Sequence, residues 1–374
     1  MEKVRVGFIG AGGRAQSHYT SLSEMDDVKI VSVCDLSEAR LKYVGDKFEI
    51  EKRFTDYKEM LEKVELDAVY AILQPSYMDP IVRYCLEQGE NVLVEKPAGI
   101  SLAQTSEWAE LAEKNKCKTM ECCQRRFHPL AVEAKKTLEE RGPILYSVAA
   151  FHKSDSLIPP RRQWENQLKR ESEGAKQAQK DVPVSSRTPS GLPPRPLPIR
   201  MTNQLLYDVV HVIDFLVWIG GDVKKVHSLS GQNYPDKEYY DPLHINYWTA
   251  IIEFKKGGIG ILNSCRHAGG RSLHFEMHGK GASAYGQIHG VPGLDSCLIQ
   301  RDNEAYNKAK IIKNEDLIGS NAPRTHIDGT FQLNRHFMDC IKEDKEPLIN
   351  FKEAKISMRI MEAILVGGRV PPVF

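Results

Sequence analysis

The chain opens on an apolar run, Val4 to Ile9, followed at once by Gly10-x-Gly12-x-x-Ala15 and a stretch of helical character. Few folds accommodate that order. Glycine at position 10 permits a tight strand-to-helix turn, glycine at 12 lets the backbone approach a pyrophosphate, and the small Ala15 keeps the helix close to the sheet. Phosphates then gather at the helix N-terminus, where N–H groups and the helix dipole favour negative charge. A glycine pattern alone is only a tight turn. Here a second apolar run, IVSVC, ends in Asp35, 23 residues beyond Gly12, close to the ~20-residue spacing at which an acid meets the adenosine ribose.

A carboxylate at position 35 accepts from ribose hydroxyls and repels a 2′-phosphate, so NAD is expected in preference to NADP. Arg40 and Lys42 lie close enough in sequence to turn back toward a phosphate, which keeps NADP as the second choice. The plain alternative for Asp35 is a turn residue or helix cap ahead of LSEAR.

Strands and helices continue to alternate. LDAVYAIL reads as a buried strand ending at Gln74-Pro75, DPIVRYCLEQG as a helix stopped by Gly89, NVLVEKP as a strand, and KTMECCQ as one more after a helical stretch. Such alternation implies right-handed crossovers and a doubly wound parallel sheet. Ligands of these sheets bind beyond the carboxyl ends of the strands, where Gly10, Asp35, Pro75, Lys96 and Gln124 fall. Gly12, Gly13, Arg14, Leu73 and Glu95 adjoin them and complete the expected cofactor contacts.

With 374 residues the chain suggests two domains. Its 51 Lys and Arg balance 50 Asp and Glu, so no global field attracts nucleic acid or membrane, and a small molecule is the expected partner. No signal flank or apolar run of ~18 residues is seen, and eight cysteines show no paired CxxC spacing. A reducing, cytoplasmic setting fits. No metal is expected: His274 and His278 on a strand would stand about 13 Å apart.

Lys96 is the first catalytic candidate. Oxidising a secondary alcohol by hydride loss yields a carbonyl only if the hydroxyl proton also departs, so a base must lie within hydrogen-bond reach. A lysine of ordinary pKa, ~10.4, is a poor base at neutral pH, and burial and a positive nicotinamide ring would both lower it. Pro97 restricts the Lys96 backbone. The plain alternative is a surface lysine ending a strand. His211 is the second candidate. NQLLYDVVHVIDFLVWIGG reads as a helix on which Asp208, His211, Phe215 and Trp218 share one face, polar at its start and apolar beyond. Asp208 can orient the imidazole, which can exchange the substrate proton; the alternative is a structural His–acid pair. Arg126 and His128 in RRFHP are candidates for holding substrate hydroxyls, or else for a domain hinge.

The segments GFIGAGGRA, DAVYAILQP, NVLVEKPAGISL, CQRRFHP, DVVHVID, FEMHGKGASA and the closing FMDCIKEDKEPLINFKEAKISMRIMEAI resemble the Gfo/Idh/MocA oxidoreductases over nearly the whole length. That resemblance implies an α/β chain: an N-terminal Rossmann domain, placed at 1–126, and a C-terminal α+β domain, placed at 127–374, with a large, mostly antiparallel open sheet. It implies NAD(P) chemistry on a secondary alcohol of a sugar, amino sugar or cyclitol, with Lys96 and His211 handling the proton. The chain departs from the family pattern in carrying Asp79 where many members have histidine, Gly89-Glu90-Asn91-Val92 where they read GKHV, and Tyr207 where they place the acid, here at Asp208. Alternating apolar residues in strands such as NYWTAIIEF suggest an oligomer face, for a homodimer or homotetramer. Residues 154–202, charged and then proline-rich, read as a loop or arm. Two other classes remain: a glycosidase using NAD for transient oxidation and elimination, and a non-catalytic ligand-binding regulator.

Overall fold

A computed structural model describes residues 3–154, 208–231, 247–265, 267–288, 295–302 and 309–365. The expected arm at 154–202 therefore lies, Ser154 apart, outside the described residues. The chain divides into two compact units; among the described residues the first comprises 3–122 and 330–355, and the second 123–154, the described stretches of 208–329, and 356–365.

In the first unit β1 (Val4–Ile9), α1 (Ala15–Ser23), β2 (Val28–Cys34), α2 (Glu38–Lys47), β3 (Lys52–Phe54), α3 (Tyr57–Lys63), β4 (Ala68–Ala71), α4 (Pro75–Glu87), β5 (Val92–Val94), α5 (Leu102–Lys114) and β6 (Thr119–Glu121) alternate as the hydrophobic pattern requires. The strands form one parallel sheet in the order β3-β2-β1-β4-β5-β6, the doubly wound arrangement of dinucleotide-binding folds. Its central strands are apolar on both faces because helices cover both; β4 and β5 are buried at every position. Helix starts follow local chemistry. Ser37, Asp56 and Ser101 cap α2, α3 and α5 through their side-chain oxygens, and Pro75 opens α4.

Residues 330–355 return to this unit. The Glu121 N–H donates to Ile349 O (2.9 Å) and the Phe351 N–H to Thr119 Oγ1 (3.1 Å), so edge strand β6 is covered from its open side. Phe351 and Ala354 join the hydrophobic core that holds Trp108.

The second unit begins with a 3-10 turn, Gln124–Phe127, then α6 (Pro129–Glu139), β7 (Ile144–Ser154) and α7 (Val210–Gly220). Strands β8 (Val223–Gly231), β9 (Tyr247–Phe254), β10 (Ile259–Cys265), β11 (His267–Gly279), β12 (Ala282–Ile288), β13 (Ser296–Arg301) and β14 (Lys310–Lys313) follow. Helices α8 (Asn314–Ile318) and α9 (Arg324–Ile327) complete it, while α10 (Thr330–Lys342) belongs to the first unit and α11 (Phe351–Leu365) closes the described chain. Eight strands form one sheet, β14-β13-β12-β11-β7-β10-β9-β8, antiparallel except where β7 meets β10. This is the mostly antiparallel sheet expected from the family resemblance. Strands β13 and β14, short and flanked by polar residues, were not anticipated.

Alternation gives this sheet two unlike faces. One carries Trp248, Ala250, Ile252, Leu262, Phe275 and Met277 inward, all buried, and α7 packs against β7 and β10. On the other, paired residues make an unbroken row across all eight strands: His227, Ile251, Ile261, Val148, Glu276, Tyr285, Leu298 and Ile311. Six of the eight are apolar, and Ile251, Tyr285 and Ile311 are exposed.

Candidate functional site

The first group of expected site residues collects at the carboxyl ends of the parallel strands in the first unit. Gly10, directly after β1, has φ +108°, and a Cβ there would lie 2.4 Å from Ile72 O, so only glycine fits. A Cβ on Gly12 would meet nothing within 4 Å, which leaves the room a pyrophosphate needs above a helix start. The Ala15 N–H already turns back to Gly12 O (3.1 Å). Asp35, at the end of β2, accepts from the Ala11 N–H at 2.8 Å and the Ser37 N–H at 2.9 Å. Its carboxylate thus ties the glycine turn to the next strand as well as opening α2. Arg40 stands 3.7 Å from it, so the residue considered for an NADP phosphate is held beside the acid. Leu73 and Pro75 follow β4, with Leu73 Cδ2 3.2 Å from where a Gly10 side chain would start.

Glu95 and Lys96 follow β5. Glu95 is buried and pairs with Arg14, while His18 Nε2 stands 3.8 Å from the same oxygen. Burial alone would raise the Glu95 pKa; Arg14, His18 and Lys96 together overcome it and hold the carboxyl well below the ordinary range. Lys96 is half-buried, and its backbone N–H donates to Glu95 Oε2 at 3.2 Å. The loop after it is fastened twice: the Ala98 N–H donates to Glu121 Oε1 (2.8 Å), and Thr105 Oγ1 donates to Ala98 O. A side chain on such a loop keeps its direction, as proton transfer demands.

His18, Glu95 and Cys122 bring three atoms of ligand type within 4.8 Å of one another. The Arg14 guanidinium sits on that same Glu95 oxygen, placing positive charge where a metal cation would have to bind. Burial pushes the Cys122 thiol well above its ordinary pKa, keeping it protonated, which further disfavours ligation. His274 and His278 belong to no group of three ligand-type side chains among the described residues.

The second group lies in the second unit. His211 is buried in the first turn of α7, and Asp208, partly exposed, precedes it in a short π-helical turn. Farther along the helix Phe215 packs against Trp218 and Phe275, with ring centres 5.6 and 5.4 Å apart. Gln124 is buried in the 3-10 turn. Arg126, also there, donates from Nε to both oxygens of Asp214 on α7, at 2.8 and 2.9 Å, with Nη2 2.6 Å away. Both residues are fully enclosed, and burial nonetheless pushes the Asp214 carboxyl up. His128 Nε2 lies 3.2 Å from Asp295 Oδ2, and burial, opposed by Asp295, lowers the imidazole pKa. Arg126 and His128 therefore face carboxylates of their own unit.

Asp295, His18 and Asn334 were not singled out in the sequence, and Asp214 only as the last residue of DVVHVID, with no role given. For Asp214 a signal existed: one acid inside the apolar helix VHVIDFLVWI must find a buried cation. Asp79 also has an explanation, since it accepts from Arg83 Nε and Trp108 Nε1, both at 2.9 Å, and braces α4 against α5.

Two descriptions of known families match the chain: "Oxidoreductase family, NAD-binding Rossmann fold" over residues 4–122, and "Oxidoreductase family, C-terminal alpha/beta domain" over 202–366. The chain belongs to the Gfo/Idh/MocA oxidoreductases. Among relatives of this Gfo/Idh/MocA protein, scyllo-inositol 2-dehydrogenase (NAD(+)) of Bacillus subtilis is 23% identical over 96% of this chain and 92% of its own. Myo-inositol 2-dehydrogenase of Thermotoga maritima is 23% identical over 71% of this chain and 69% of its own. A levoglucosan dehydrogenase solved with NADH and levoglucosan superposes with a TM-score of 0.77 over the full length of both chains, at 15% identity. The Gfo/Idh/MocA chain is thus an oxidoreductase with an NAD-binding Rossmann unit.

Proposed function

We propose that the protein is an NAD-dependent dehydrogenase or reductase acting on a secondary hydroxyl or keto group of a sugar, amino sugar or cyclitol. The observation that carries this reading is Lys96: a half-buried amine on a loop fastened by Glu121 and Thr105, at the same strand-end edge of the first unit as the open glycine turn. Bound NAD would supply the hydride acceptor or donor. Gly10, Gly12, Gly13 and Arg14 would hold its pyrophosphate, Asp35 the adenosine ribose, and Leu73, Pro75 and Gln124 the remainder of its length. Lys96 takes the hydroxyl proton during oxidation and returns it during reduction. His211, with Asp208 beside it in sequence, is assigned to exchange of the substrate proton. His128 is assigned to the substrate hydroxyls; Arg126, clamped on Asp214, serves as a brace for the helix that bears His211.

A screen of inositols, sugars and amino sugars with NAD⁺, following NADH absorbance, tests this directly. Turnover is expected on at least one polyol, and with NAD in preference to NADP because Asp35 opposes an added phosphate charge. Cleavage of a chromogenic glycoside without net NADH would establish the elimination chemistry instead. We propose further that the exposed row across the second sheet is an interface between copies of the chain. Light scattering should then show a dimer or tetramer at micromolar concentration rather than the 42.3 kDa chain alone, and Ile251→Lys should shift it toward monomer.

A further inference from the structure

Glu95 is approached on one oxygen from two sides. Arg14, whose side chain is 38% exposed, comes from the start of α1, and His18, fully enclosed, from one turn further along the same helix. His18 Nδ1 lies 2.9 Å from Asn334 Oδ1, contributed by α10. A carbonyl oxygen accepts, so Nδ1 carries the hydrogen and Nε2 is left facing Glu95 at 3.8 Å and the Cys122 sulfur at 3.7 Å. Tyr70 meets the ring edge-on, with centres 5.8 Å apart. The charged groups around the imidazole are Glu95 with Lys96 after it, Arg14 on its own helix, Glu121 beside Cys122 and turned to Ala98, and Arg335 beside Asn334, which pairs with Asp27.

We propose that His18 is a positioning residue, the inner partner that takes over the Glu95 carboxylate when a dinucleotide pyrophosphate draws Arg14 away. The inference rests on the reading of the first unit as an NAD site. Arg14 stands at the N-terminal end of α1, where phosphates gather, and a guanidinium binds phosphate oxygens in paired, charge-assisted hydrogen bonds. Once Arg14 turns to them, Glu95 loses a cation, and a buried carboxylate short of a partner is costly. The imidazole relieves that cost by taking one proton from solvent on Nε2 and donating it in a hydrogen bond to Oε1. Asn334 keeps accepting from Nδ1–H throughout, because both ring nitrogens of an imidazolium are donors. Glu95 therefore stays ionised beside Lys96 with and without nucleotide.

Calorimetric titration with NADH in two buffers of different ionisation enthalpy reads this without any substrate. NADH is the probe because its ring is uncharged and does not drive a proton off Lys96. Net proton uptake on NADH binding is expected, and it should vanish in His18→Gln while NADH still binds. Arg14→Met, in which the competing cation is already gone, should bind NADH more weakly and, at saturating NADH, without uptake, and serves if His18→Gln does not fold. NADH binding to the natural protein without proton uptake would overturn the inference and leave the NAD site intact, as would uptake undiminished in His18→Gln. Failure of both NADH and NADPH to bind would overturn the NAD reading and this inference with it.

Discussion

Glu95 in the first unit and Asp214 in the second are both buried carboxylates facing an arginine; burial pushes both pKa values up, yet the net shifts run in opposite directions. Arg14, Lys96 and the His18 imidazole surround Glu95, and its pKa falls. Asp214 meets one cation among the described residues, Arg126, and its pKa rises despite bonds of 2.8 and 2.9 Å. Glu90 extends the series: burial pushes it up to about 7, helped by the like charge of Asp67, and no cation among the described residues opposes the shift. What a buried acid does therefore depends on how many cations the fold supplies. A surplus marks the loop that carries Lys96, and a bare match marks a brace.

The sharpest way to break this contrast is to ask which unit holds the chemistry. Lys96→Ala should lower turnover by ~10²–10⁴-fold with cofactor affinity nearly unchanged, and His211→Ala by less; steady-state kinetics beside calorimetry measure both. Near-normal turnover in the two variants would remove the proposed proton route. The next effect is on stability. Arg126→Met strands Asp214 inside the protein and should cost about 3–5 kcal/mol in denaturant unfolding, with much of it regained in Arg126→Met/Asp214→Leu. Arg14→Met should cost only about 0–1 kcal/mol, since Arg14 is part-exposed and Glu95 keeps other partners. Equal losses would erase the distinction.

A further effect concerns Glu90. Its folded pKa lies above the unfolded value, so the ionised form is disfavoured by folding: the cost is absent at about pH 4, grows as pH rises through about 7, and is complete above that. Glu90→Gln should accordingly stabilise the protein by about 1–2 kcal/mol at pH 8, allowing for solvent screening, and by little at pH 4. Denaturation midpoints at the two pH values check the sign.

Much of the first unit was legible because its signals are local. Gly10 and Gly12 stand beside the strand and helix they join, and a strand buried on both faces announces itself as an apolar run. The pairs that build the candidate site are not local. Arg126 and Asp214 are 88 residues apart, His128 and Asp295 167, and His18 and Asn334 316. No periodicity encodes such meetings, because topology brings them about after both local elements exist. Short strands such as KIIK escaped for a different reason: four residues cannot show an alternation.

The cover on β6 has a consequence for how the protein is made. Its partner, Ile349, leaves the ribosome about 230 residues after Glu121, a wait of roughly 10–45 s at ordinary rates of synthesis. Throughout that interval the nucleotide-binding sheet carries a bare edge, and a bare edge invites pairing with any other extended chain. The unit that begins first thus keeps an unpaired strand until residues 330–355 emerge, and pairing of Glu121 with Ile349 is what closes that edge.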